Sequence, residues 1–149
     1  MTIIVGVDGS DEAQRALRFA IDEAKLRGAP LRVICAWELG MEAWGEVPPP
    51  EETLDRPRQQ AEEVVAEAEQ IVGRLAPNVE CEYAALEGAA GVVLVEHSAD
   101  ASLLVVGRHG HGVANVVLAS VADVLFGSVS KHVVGYARCP VVVVPHGSA

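Results

Sequence analysis

The sequence predicts an α/β domain built on one open, doubly wound, five-stranded parallel sheet with helices on both faces. Short β-rich runs alternate with helical periodicities along the whole chain. Four of the five runs lack clean polar/apolar alternation, as strands covered on both sides do. Half the residues are hydrophobic but only 4% are aromatic, so Val, Ala, Leu and Ile must build the core. Such side chains suit close packing of helices on a sheet. At 149 residues the chain has the length of one domain, 1–149, with no internal repeat or linker.

The strand runs are Thr2–Val7, Leu31–Trp37, Val79–Leu86, Ser102–Val106 and Pro140–Val144. In VECEYAAL, Val79, Cys81 and Tyr83 fall on one face opposite two glutamates, which marks an edge strand. From Asp11 to Arg27, Ala13, Ala16, Leu17, Ala20, Ile21 and Ala24 recur at helical steps. Ser10 or Asp11 supplies the cap of that helix, and Gly28-Ala29-Pro30 stops it. A second helix is predicted over about Gln59–Leu75, on the stripe Val64, Val65, Ala68, Ile71, Val72 and Leu75, with Pro57 blurring its start. Ala89–Ala99 and Ser128–Ala137 read as the third and last helices. Glu38–Pro50 is one long irregular loop. Right-handed crossovers are implied for parallel neighbours, and with the first strand central and the fourth returning beside it the strand order is 3-2-1-4-5, a Rossmann-like arrangement.

The formal net charge of −10 argues against nonspecific attraction to nucleic acid or an anionic membrane, both of which use clustered Lys and Arg. The three cysteines have no C-x-x-C spacing and read as reduced, mostly buried thiols of a cytoplasmic protein. MTIIVGVDGSDE lacks the basic start of a signal peptide, and no apolar run reaches the roughly 20 residues of a membrane span.

In such a sheet, ligands sit beyond the carboxyl ends of the strands where the order reverses, here between the first and fourth. After the first strand comes Asp8-Gly9-Ser10, a carboxylate ahead of a helix N-terminus. After the fourth comes Gly107-Arg108-His109-Gly110-His111-Gly112, whose glycines let main-chain N–H groups approach a phosphate. Gly127-Ser128-Val129-Ser130 opens the last helix, whose free N–H groups favour an anion, and Ser128 and Ser130 add hydroxyls. Together these describe a nucleotide site. A second reading of the same residues is that the glycines only end one strand and begin one helix. The site is neither a Walker P-loop nor a G-x-G-x-x-G fingerprint.

VGVDGS, LRVICAW, LLVVGRHGHG and GSVSKHVVGYARCPVVVVP, in that order along the chain, resemble the universal stress protein family. The resemblance implies binding of ATP, with or without Mg²⁺, through the pattern G-x2-G-x9-G-(S/T). It implies that Asp8 and the main chain near Ala36 flank the adenosine. Val106, Gly107 and Gly110 would wrap the ribose-phosphate side, and Gly127, Ser128, Val129 and Ser130 would hold the phosphates. It further implies a homodimer through the valine-rich Pro140–Val144 edge. One departure stands out: sixteen residues, His111 to Phe126, separate Gly110 from Gly127, seven more than the nine of the family pattern. Val113, Val116, Val117, Ser120, Val121, Val124 and Leu125 in that spacer recur at helical steps, so it is expected to be a helix packed over the site or against a partner.

Other candidates carry less. His109-x-His111 supplies two imidazoles and no further ligand, so no metal site is expected. Arg108 reads as an exposed arginine on a loop tip, with contact to a phosphate as the other reading. Asp8 alone is as good a helix cap as a ribose partner, and Trp44 can cover a ligand or pack the long loop down. No general base can be placed beside a leaving phosphate, so a dedicated enzyme is not expected. The sequence thus points to an ATP-binding signalling or stress-tolerance module, the alternative being a nucleotide-free homodimer whose spacer fills the pocket.

Overall fold

The computed structural model describes residues 1–38, 51–108 and 127–145. Its elements are β1 (Thr2–Gly6), α1 (Asp11–Arg27), β2 (Leu31–Trp37), α2 (Glu51–Leu75), β3 (Cys81–Glu87), α3 (Ala90–Ser98), β4 (Ala101–Gly107), α4 (Ser128–Tyr136) and β5 (Val141–Val144). The five strands pair in the order β3-β2-β1-β4-β5, every neighbour parallel. The sheet is therefore doubly wound, as the crossover rule requires.

Strand alternation divides the core. Ile3, Val5, Val33 and Val105 face α1 and α2, whereas Ile4, Ile34, Leu104 and Val106 face α3 and α4. All eight are essentially inaccessible, which explains why the central runs read as continuously apolar. The outer strands differ: every residue of β5, and all of β3 except Glu82 and Glu87, is half-buried, as sheet edges are.

α1 has the bounds its local signals dictate. The Ser10 hydroxyl accepts from the Ala13 N–H at 3.2 Å, Asp11 and Glu12 occupy the first turn, and Lys25 and Arg27 the last. α2 departs from expectation, since it begins at Glu51 and carries Pro57 inside. Proline removes one helical N–H and favours the first turn, so from sequence alone it looks like a start; the six residues ahead of it are nevertheless helical. On the opposite face Ser98 is buried at the end of α3. Its hydroxyl donates to the Val95 carbonyl at 2.6 Å and accepts from the Arg138 N–H at 2.9 Å, tying α3 to the turn before β5.

Candidate functional site

Because β1 and β4 are parallel and paired with Val5 opposite Val105, the turns that follow them leave the same edge of the sheet side by side. Here the strand order reverses, and here a cavity of about 120 Å³ opens. Its walls come from both turns, from β2 and from the first turns of α3 and α4.

The β1 turn is held by its own side chains. Gly9 has φ +85°, a conformation that side-chain-bearing residues rarely adopt, and it folds Ser10 back toward Asp8. One Asp8 carboxylate oxygen accepts from the Ser10 N–H at 2.9 Å and from the Ser10 hydroxyl at 2.5 Å. The hydroxyl in turn caps α1, so the Asp8 carboxylate is fixed relative to the helix start. The Asp8 charge also reaches β2: burial, with Asp8 adding to it, pushes the Cys35 thiol up to about 11.

The β4 turn depends on an absent side chain. A Cβ on Gly107 would stand 3.0 Å from the Glu12 carbonyl oxygen, so the end of β4 lies against the first turn of α1. Arg108 follows, and its main chain is held on both sides. Its N–H donates to the Val144 carbonyl at 3.0 Å, and its own carbonyl accepts from the Gly127 N–H at 2.7 Å. The Ser130 hydroxyl, buried, donates to the same carbonyl at 2.7 Å with the Gly127 carbonyl 3.1 Å away. The two glycine-bearing corners on either side of the long spacer are therefore joined at its root.

Gly127 is the N-cap of α4 and brings no side-chain acceptor. An α-helix leaves its first N–H groups without intrahelical partners, and Ser128, Val129 and Ser130, which carry those groups here, line the cavity. The aligned peptide dipoles make this the positive end of α4.

Of the residues singled out in the sequence, Asp8, Ala36, Val106, Gly107, Gly127, Ser128, Val129 and Ser130 line one cavity. Gly110 lies outside the described residues, as do His109, His111, the spacer helix expected after it and Trp44. Ser128 is an exposed residue, whereas the hydroxyl of Ser130 is engaged with main chain. The expected loop-tip position of Arg108 is not what the fold gives: the residue is partly buried and lines the cavity. Its place follows from contacts with Gly127 and Ser130, distant in sequence and invisible in the local pattern.

The apolar wall was also missed. Ile34 from β2 and Ala90 and Leu94 from α3 line the cavity, Ala90 and Leu94 four residues apart on one helix face. That spacing was readable, but only the crossover decides which side of the sheet the face meets. No group of three or more His, Cys, Asp or Glu capable of holding a metal occurs among the described residues. Nor, among them, is any helix long and apolar enough to cross a membrane.

Comparison with known proteins agrees with this fold. The profile of the universal stress protein family matches residues 1–145. A universal stress protein of Thermus aquaticus is 36% identical over 143 residues, covering 96% of this chain and 97% of that protein. One from Mycobacterium tuberculosis strain H37Rv is 35% identical over 147 residues, and the chain spans 46% of its length. Similar solved structures include a universal stress protein in complex with cAMP, with 29% identity, TM-score 0.70 and coverage of 99% of this chain and 98% of that one. A universal stress protein from Archaeoglobus fulgidus in complex with dAMP shows 29% identity, TM-score 0.67 and 96% coverage of both chains. The match to the family profile extends over nearly the whole sequence, and the chain belongs to the universal stress protein family.

Proposed function

We propose that the cavity binds an adenine nucleotide, ATP in particular, and that the domain works as a nucleotide-dependent signalling or stress-tolerance module rather than as a dedicated enzyme. The observation that carries this reading is convergence: the Asp8 turn, the end of β4 and the N-terminus of α4 border one cavity at the reversal of strand order. Each part suits a portion of a nucleotide. Ile34, Ala36, Ala90 and Leu94 offer an apolar surface to a base. The Asp8 carboxylate is of the type that accepts from ribose hydroxyls. Main-chain N–H groups at Ser128, Val129 and Ser130, at the positive end of α4, suit phosphate oxygens.

The nucleotide complexes of the two 29%-identical relatives support the same class of ligand. Among the described residues, the charged ones in the cavity lining are Asp8 and Arg108. The Asp8 carboxylate is engaged with Ser10 and a guanidinium carries only donors, so we read the site as one for binding, with hydrolysis at most slow. Mg²⁺ would arrive with ATP, held by phosphate oxygens and water, since Mg²⁺ keeps much of its hydration shell. A second copy of the chain would pair along β5, the outermost strand of the sheet, giving a homodimer. We place this module in the cytoplasm, consistent with reduced cysteines.

Gly127→Val tests the reading. A branched side chain at the head of α4 would fill the space in which phosphates meet the helix, so ATP affinity measured by calorimetry should fall at least about tenfold, with the circular dichroism spectrum unchanged. Binding of ATP by this variant at wild-type affinity would remove the α4 terminus from the site.

A further inference from the structure

Arg108 has a main chain that is fully engaged and a side chain that is not. Three main-chain hydrogen bonds, to Val144, Gly127 and Ser130, fix its position at the cavity edge. Its Nε is buried, and among the described residues it is the one buried side-chain nitrogen or oxygen with no hydrogen-bond partner. The ion pairs among those residues, Arg27 with Glu23, Arg32 with Glu82 and Arg58 with Asp55, leave Arg108 out. A guanidinium is always charged and carries only donors, so a sealed Nε–H without an acceptor is unfavourable.

The chain carries 21 acidic residues against 11 Lys and Arg, so carboxylates that could have paired with this arginine are plentiful. It lies instead beside Gly127 and Ser128, and it is the only cationic side chain among the described residues lining the cavity. A chain of net charge −10 repels anions at long range, so a phosphorylated compound needs local positive charge. The N-terminus of α4 supplies a partial charge, whereas a guanidinium supplies a full one together with a planar fork matched to phosphate oxygens.

We infer that Arg108 reads the charge of the bound compound: its guanidinium takes a phosphate oxygen, so the cavity selects phosphorylated adenosine over adenosine itself. This rests on the nucleotide reading above and adds to it the residue that sets phosphate dependence. Arg108 acts from the strand side of the phosphate while the N–H groups of α4 act from the helix side.

The test is calorimetric titration of AMP, adenosine and inorganic pyrophosphate against wild type, Arg108→Gln and Arg108→Lys, with folding checked by thermal melting. Wild type should bind AMP more tightly than adenosine. Arg108→Gln should weaken AMP by about tenfold to a hundredfold and leave adenosine within about twofold. Arg108→Lys, which keeps charge and bulk but loses the fork, should fall between and serves if Gln disturbs folding. Equal AMP affinity in wild type and both variants overturns the inference and leaves the nucleotide reading standing. If wild type binds neither AMP nor adenosine, the nucleotide reading fails. Pyrophosphate binding that disappears in Arg108→Gln would then still uphold Arg108 as the anion contact, and pyrophosphate binding unaffected or absent would overturn it.

Discussion

Ser130 has a hydroxyl that the sequence offers to a phosphate and that the fold uses elsewhere, to bind the Arg108 carbonyl across 22 positions of chain. Its role at the site is thus to hold the β4 turn against α4, while its main-chain N–H stays in the first turn of that helix. Ser130→Ala should lower unfolding free energy by about 1–2 kcal/mol, the cost of removing a buried hydrogen bond, whereas Ser128→Ala, at an exposed residue, should change it by less than about 0.5 kcal/mol. Urea midpoints measure both, and equal midpoints would show that the tie contributes nothing. Cys35 gives a prediction in pH. Its thiol is raised to about 11 by burial first and by Asp8 second. A folded value above the unfolded one makes this stabilisation fully present below roughly pH 8.5 and lost as pH rises toward 11. The stability difference between wild type and Cys35→Ala should therefore shrink through that window, by at most about 2–3 kcal/mol. A difference that stays constant from pH 8 to 11 contradicts the buried placement of the thiol. The sequence indicated a buried thiol at Cys35; its coupling to Asp8 depends on the β1–β2 pairing and could not be read locally.

α1 and α2 show why some helix boundaries are legible and others are not. The bounds of α1 follow from Ser10 and the Gly28 stop, signals that act within a few residues. Ser10→Ala removes both the cap on Ala13 and the hydroxyl contact to Asp8, and it should cost about 1–2 kcal/mol in chemical denaturation. A loss under about 0.3 kcal/mol would mean that the cap is not engaged in solution. In α2 the apolar stripe pointed to a start near Gln59, with Pro57 blurring it, yet the helix begins at Glu51. If Pro57 is interior, Pro57→Ala restores a helical N–H and relieves a clash, so unfolding free energy should rise by about 1–3 kcal/mol. A neutral or destabilising result would place the start of the helix at the proline. α4 is a different case: its onset at Ser128 was readable from Gly127, but its contact with Arg108 was not, because the intervening residues carry no signal of where they return.

Across the molecule, the β/α alternation, the parallel sheet and its 3-2-1-4-5 order were legible, because unbroken strand hydrophobicity marks strands covered on both faces and a central first strand lets the fourth return beside it. So was the approach of the Asp8 turn to the Gly107 turn, which follows from that order, whereas the place of the head of α4 rested on the resemblance of GSVSKHVV to the family. The apolar wall from α3 and the inward place of Arg108 were not, since each depends on which residues meet across the sheet. The extra length between Gly110 and Gly127 need not separate the cradle's two halves: the bond between the Arg108 carbonyl and the Gly127 N–H closes the root of that excursion at 2.7 Å. The longer spacer therefore does not part Arg108 from Gly127. Freshly purified protein should be denatured and any released nucleotide identified by chromatography, after which ATP is titrated calorimetrically into the nucleotide-stripped protein. Adenine nucleotide in the released fraction and saturable binding of one ATP per chain are the predicted results. No released nucleotide, together with no heat on titration with either ATP or AMP, would contradict the account and leave a family member whose cavity serves no nucleotide.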